Sequence, residues 1–357
     1  MPRWRRGLRS PTAAPGPPGP PGPPVASLAP LASLAPMAPM APMASLAGRV
    51  SMARGIARAA IVSVGLWALL ALLAGMGGCA SAEPRFSAVS SGFAHACALG
   101  ANGDVVCWGY GDQRVDAPAG VKLVEVSAGF RHTCAREVSG ALRCWGAGHV
   151  GQEAVPPGDG FRTVSAGGDH ACALDADGLA HCWGGQGDPR VSSRVLPPEG
   201  VRFMAISAGR SHTCGLEPAG TASCWGYDDD GQATPPPGLR FTEIAAGYEV
   251  TCGVGETGRV TCWGRPDRGV TAPPAQPLSR ITVGGAHGCG IARDATPVCW
   301  GSDLAGQASP PPGLEVVAVS AGMAHTCAVT RAAEVRCWGD DRFGQLRGPG
   351  LPSPADG

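Results

Sequence analysis

Seven pairs of cysteines limit this chain more than any other feature. They are Cys97 and Cys107, Cys134 and Cys144, Cys172 and Cys182, Cys214 and Cys224, Cys252 and Cys262, Cys289 and Cys299, and Cys327 and Cys337, each ten positions apart. The spacing inside a pair never varies. Successive first cysteines are separated by 37, 38, 42, 38, 37 and 38 residues. Each pair sits in one copy of a repeat whose clearest example is SAGFRHTCAREVSGALRCWG, residues 127–146. A Gly opens the copy, a His and a Cys follow, and Cys-Trp-Gly closes it. Periods near 40 with alternating apolar residues and frequent Gly and Pro point to the blades of an all-β propeller.

The local structure follows from the register. Phe86–Ser90 and Leu123–Ser127 read as short strands, and the His-x-Cys and Cys-Trp segments as two more joined by a tight turn. Setting Cys97 opposite Cys107 centres that turn on Asn102, so its loop is Ala101-Asn102-Gly103. A three-residue hairpin loop favours Gly at its third position, where the chain turns left-handed. That position holds Gly103, Gly140, Gly178, Gly220 and Gly258, but Ala295 and Ala333 in the last two copies, whose turns are expected to differ. Counting from the closing pair Gly100/Asp104, the cysteines fall at a non-hydrogen-bonded site, where opposite Cα atoms approach within reach of a disulfide. The His two positions earlier shares the cysteine face, and Trp108 takes the other. Ring stacking would press the Trp face of one blade toward its neighbour.

Fifteen cysteines are seven pairs plus Cys79. The even count, the fixed register and an export signal agree on intrablade disulfides. His-x-Cys…Cys also offers three ligands for zinc or copper, though not at the usual spacing. Copy five keeps Cys252 and Cys262 but carries Val250 where the others have His, so the pair does not need the His. No C-x-x-C suggests redox catalysis. The recurring His95, His132, His170, His212, His287 and His325 read as one structural hydrogen bond per blade rather than as catalysts. The seven Trp read as core, and His149 and His181 as surface residues. Asp228-Asp229-Asp230-Gly231 resembles a fragment of a Ca²⁺ loop without the full ligand set, and a solvated turn is the plainer reading. There is no P-loop, G-x-S-x-G or H-E-x-x-H.

The chain divides by composition. Residues 1–51 are Pro/Ala/Gly-rich low complexity, with a collagen-like fragment too short to wind a triple helix, and translation from Met52 would omit them. Residues 52–78 have Arg54 and Arg58, an apolar run from Ile61 to Ala74, and Gly77-Gly78 before Cys79. This resembles a lipoprotein signal peptide, with Met76 where Leu is usual; Cys79 is then the lipidation site and residues 79–85 a short tether. Residues 86–348 hold the repeats and 349–357 form a tail. The segment before Cys79 has seven Arg and no acid, which leaves 21 basic against 28 acidic residues after it. An acidic balance without a basic patch argues against nucleic acid.

The pattern SAG-x-x-H-x-C…CWG…GQ resembles the RCC1 repeat (regulator of chromosome condensation 1). The Gly-Gln ending occurs at Gly151-Gln152, Gly231-Gln232, Gly306-Gln307 and Gly344-Gln345. The resemblance covers residues 86–348 and implies a seven-bladed β-propeller. Cys replaces apolar residues usual in that family at two strand positions, and the repeats are shorter than in its nuclear members. The nuclear role, nucleotide exchange on a small GTPase with chromatin contact, does not suit an exported acidic chain.

The sequence thus suggests an exported, lipid-anchored, disulfide-stapled propeller that binds an envelope or extracellular protein or glycan, with no cofactor and no metal. Alternatives are an enzyme (hydrolase or lyase) using the central funnel, or a purely structural envelope protein. The segments after each Trp-Gly vary and should emerge on one face. Their candidate contact residues are Tyr110, Arg190, Arg194, Tyr227, Asp228, Asp229, Asp230, Arg265, Asp340, Arg342 and Phe343.

Overall fold

The computed structural model describes residues 85–110, 116–185 and 196–349. Cys79, Arg190, Arg194 and the segment before the tether lie outside them. The described residues form seven three-stranded antiparallel sheets, each from one continuous stretch in the order first-second-third. Blade 1 comprises β1 (Phe86–Ser91), β2 (His95–Gly100) and β3 (Val105–Gly109). Blades 2 to 7 span residues 123–146, 163–184, 205–226, 243–264, 279–301 and 316–339. The predicted first strands each run one residue longer, to Ser91 and Ala128.

The hairpins have the expected register. Cys97 stands opposite Cys107 and Ala96 opposite Trp108, and the same pairing recurs in every blade. All seven pairs are disulfide-bonded inside their own hairpin. Cys97 is bonded to Cys107, Cys134 to Cys144, Cys172 to Cys182, Cys214 to Cys224, Cys252 to Cys262, Cys289 to Cys299 and Cys327 to Cys337, with Cα atoms 4.0–4.1 Å apart. The two ends of each bond differ in burial. The first cysteines, on the middle strand, are fully buried, whereas Cys107, Cys144, Cys182, Cys224, Cys262, Cys299 and Cys337, on the third strand, are half-buried. The sulfurs are unavailable as thiolate metal ligands. The five turn glycines have φ between 82° and 89°. Ala295 and Ala333 do not make a different turn: they adopt φ 70° and 63° and donate to Ala292 and Thr330 as the glycines do to their counterparts. The disulfide register on either side holds the loop at three residues, and a left-handed Ala is tolerated at about 1 kcal/mol.

Between blades, the Trp face of each copy packs on the sulfur face of the one before. Trp145 clusters with Cys107, Trp183 with Cys134 and Cys144, Trp225 with Cys172 and Cys182, and Trp263 with Cys224. Trp300, Trp338 and Trp108 complete the circle on Cys252, on Cys299, and on Cys327 with Cys337. Blade 7 thus closes on blade 1 through the same indole packing as every other seam, with hydrogen bonds from Ser91 N–H to the Ser320 hydroxyl and from Phe86 N–H to the Ala333 carbonyl beside it. Burying an indole of 150–250 Å² is worth about 4–6 kcal/mol as an upper bound. The Trp108, Trp183, Trp263 and Trp338 N–H groups donate to the main-chain carbonyls of Gln345, Gln152, Gln232 and Gln307 at 2.8–3.1 Å. Those glutamines are buried, and each amide oxygen accepts from the N–H two residues back. The Gly-Gln ending is therefore the clip that carries one blade onto the next.

The histidines work across seams rather than within blades. His95, His170, His212 and His287 place Nε2 at 2.7–2.9 Å from the hydroxyls of Thr133, Thr213, Thr251 and Thr326 in the following blade. Thr251 and Thr326 donate onward to the Gln232 and Gln307 carbonyls, so His212 and His287 carry their proton on Nε2. His132 and His325 have Ala171 and Ala96 at the matching position, and both of their ring nitrogens are buried without a partner.

At the axis, the opening Gly of each copy presents its carbonyl to the N–H of the preceding blade. Phe93, Phe130, Gly168, Arg210, Tyr248, Gly285 and Met323 donate to Gly129, Gly167, Gly209, Gly247, Gly284, Gly322 and Gly92, a closed ring of bonds at 3.0–3.2 Å. A Cβ on any of these glycines would strike the next carbonyl or a neighbouring side chain, which is why the position admits no side chain.

Candidate binding face

The strand pairing decides what shares a face. His95 opposes Gly109, and Tyr110 N–H donates to Ala94, so the segment after Trp-Gly starts beside the Gly-x-x-His turn. The same bond recurs from Ala147, Tyr227, Arg265, Ser302 and Asp340. The variable segments therefore leave from one face, around a central mouth built by the seven Gly-x-x-His turns. The hairpin loops lie on the other face, and the disulfides lie between the two, within the blades. A cavity of about 200 Å³ opens at the mouth, lined by the ends of all seven first strands.

The two residues between Gly and His escape the repeat. They read Phe93-Ala94, Phe130-Arg131, Gly168-Asp169, Arg210-Ser211, Tyr248-Glu249, Gly285-Ala286 and Met323-Ala324. Phe93 and Phe130 pack at a tilt with centroids 4.0 Å apart, and Tyr248 lies 6.4 Å from Phe130 although its turn is three blades further round. The Arg210 guanidinium sits 4.1 Å over the Tyr248 ring, and burial pushes that phenol's pKa up. Glu249 is held at 2.6 Å by Arg265 and at 3.6 Å by Arg210. The hydrogen bond to Glu249 keeps the Arg265 pKa raised.

The described residues expected to form the binding surface are spread over separate contacts. Tyr110 and Phe343 meet edge to face at 5.2 Å, joining the first and last blades at the rim. Arg265 belongs to the mouth through Glu249, and the Tyr227 hydroxyl donates to Asp229, which raises its pKa. Asp228 is engaged inside its own loop, accepting from Ala233 N–H and the Thr234 hydroxyl. Asp340 likewise accepts from Arg342, whose hydrogen bond lowers its pKa. Of the mouth residues, Arg265 was expected from sequence, whereas Phe93, Phe130, Arg210 and Tyr248 were not. The signal for these four was the loss of repeat identity between two recurring residues. Among the described residues, no three His, Cys, Asp or Glu side chains converge on a metal-sized site.

Comparison with known proteins follows the same outline. The family model described as Regulator of chromosome condensation (RCC1) repeat matches residues 86–113, 123–152, 161–188, 205–232, 241–270 and 316–345. The CRINKLY WD40 ectodomain of the Arabidopsis thaliana receptor kinase ACR4 superposes with a TM-score of 0.61 at 26% identity, covering 74% of this chain and 98% of that one. The ectodomain of the Physcomitrella patens receptor kinase CR4 gives 0.60 at 27%, over 72% and 74%. Yeast RCC1 (Prp20) bound to Kap60 gives 0.56 at 17%, over 66% and 78%, a likeness of fold alone. No curated protein matches the chain at a significant level.

Proposed function

The chain belongs to the RCC1-repeat family, and from that premise we propose that it is an exported scaffold that binds an envelope or extracellular protein or glycan through its mouth face. One observation carries the reading. The scaffold repeats seven times, yet the mouth bears residues that do not repeat, and they are the aromatic and arginine types that anchor interfaces. Loops held on a rigid frame are where recognition resides. Seven disulfides suit an oxidising compartment, and two similar structures are receptor-kinase ectodomains. In this reading residues 52–78 are removed, Cys79 carries the lipid, residues 79–85 tether the propeller, and Arg190 and Arg194 add to the rim.

A photo-crosslinking residue placed at Phe343 or Arg210 tests the face, with Asn102 on the hairpin side as the control. Cells carrying each variant are irradiated and the envelope adducts compared. Adducts formed only from the mouth positions support the proposal, and identical or absent adducts from both faces overturn it. Cys79→Ser tests the anchor: loss of lipid labelling and release from the membrane fraction are expected, and unchanged membrane association refutes it.

A further inference from the structure

We propose that the groove between blades 5 and 6 is a slot for an apolar side chain adjoining a carboxylate on a protein partner, an inference that rests on the mouth face being the binding face. At six seams the earlier blade keeps both its inner-strand hydroxyl and its His. Ser90, for example, accepts from Ala128 N–H, and Ser320 from Ser91 N–H. At the seam between blades 5 and 6 the polar side chains of the repeat are replaced. Ala245 stands for the Ser, Val250 for the His, Gly288 for the Thr, and Val270 for the Gln whose carbonyl receives the Trp. Apolar packing of Val250, Val270, Val283 and Trp300 takes their place.

At the mouth end of the same seam the turn is Gly285-Ala286, and the space left by these small residues is a groove of about 140 Å³. Tyr248 and Met323 flank it over the buried Val250 and Val270, and the charged lining is Glu249 and Asp267, both held by Arg265 at 2.6 and 2.8 Å, with Arg265 and Arg268. Glu249 is satisfied by two arginines. Arg268 is not satisfied in the same way: its nearest carboxylate, Asp267, is 3.8 Å away, and its side chain is 58% exposed. Its backbone is left-handed, φ 65°, a strained conformation for a residue of this kind. A guanidinium beyond hydrogen-bond reach of its neighbour is suited to a bidentate carboxylate. The Tyr248 and Met323 walls, over a floor of buried valines, favour an aliphatic or aromatic side chain over a sugar, whose hydroxyls would go unpaired against them.

The probe is an array of acetylated pentapeptides pairing each apolar residue with Asp or Glu, beside the same peptides with Asn or Gln. It is read with the disulfide-intact chain. Binding restricted to the acidic series is expected, reduced about tenfold or more by Arg268→Gly, which removes the charged partner. Gly suits the left-handed backbone, so this variant keeps the fold. Ala286→Leu, which fills the slot, should act likewise, and Arg331→Ala, beside the hairpin turn of blade 7, should change nothing. Absence of binding, binding indifferent to the carboxylate, or full binding by Arg268→Gly overturns the slot. If Phe93→Ala/Phe130→Ala weakens peptides that Arg268→Gly leaves bound, the slot fails while the mouth face stands. If neither weakens them, both readings fail.

Discussion

Acid should loosen this propeller well before its carboxylates titrate. His132, His287 and His325 are buried, and loss of solvation lowers their pKa values from 6.5 to about 4. For a group lowered in the fold, unfolded rings take up protons once the pH drops below 6.5, and folded rings not until about 4. Stability is therefore fully present above pH 6.5 and is lost progressively down to pH 4. Between pH 7 and 5 the linkage costs about 2 kcal/mol per ring, and about 5–6 kcal/mol for the three. That is a large part of a typical domain stability of about 5–15 kcal/mol. Asp104 and Asp340, held below the ordinary carboxylate range by hydrogen bonds from Lys122 and Arg342, do not enter this window. The assay is urea unfolding followed by Trp fluorescence at pH 7, 6 and 5 with the disulfides intact. His132→Val/His325→Val, which copies the Val250 of the fifth repeat, should reduce the pH-dependent loss by about 4 kcal/mol. A flat profile from pH 7 to 5 in the wild type, or an unchanged slope in the double variant, would refute the reasoning.

Three other outcomes are expected. Ala171→Thr supplies the hydroxyl that His132 lacks and should stabilise by about 1 kcal/mol in urea at pH 7; no gain would mean that the cross-seam bond adds nothing. Gly129→Ala places a methyl against the Gly167 carbonyl and should cost about 3 kcal/mol or more, whereas Gly231→Ala, left-handed but uncrowded, should cost about 1–2 kcal/mol. Equal losses at the two sites would contradict the account of the axial ring. Cys252→Ala/Cys262→Ala opens one small loop and should lower stability by about 3 kcal/mol in the loop-entropy view, measured as a shift of the denaturation midpoint.

What this sequence determined by itself is what neighbours in the chain decide together. A fixed ten-residue spacing sets the hairpin, the hairpin sets the disulfide, and alternation puts Trp108 on the face opposite Cys107. Those are short-range constraints, and the number of copies gives the number of blades. Even at this range the Ala295 and Ala333 turns were misjudged, because propensity at one residue is weaker than the register imposed by its flanking strands. The relations between copies are decided by the ring. Which hydroxyl meets His95, why the opening Gly must lack a side chain, and how Phe130 comes to lie beside Tyr248 depend on packing across seams and across the axis. No local pattern encodes a contact between turns 118 residues apart. Only closure of seven blades brings the non-repeating side chains to one mouth, because the same rotation that repeats the scaffold carries every Gly-x-x-His turn to a common axis.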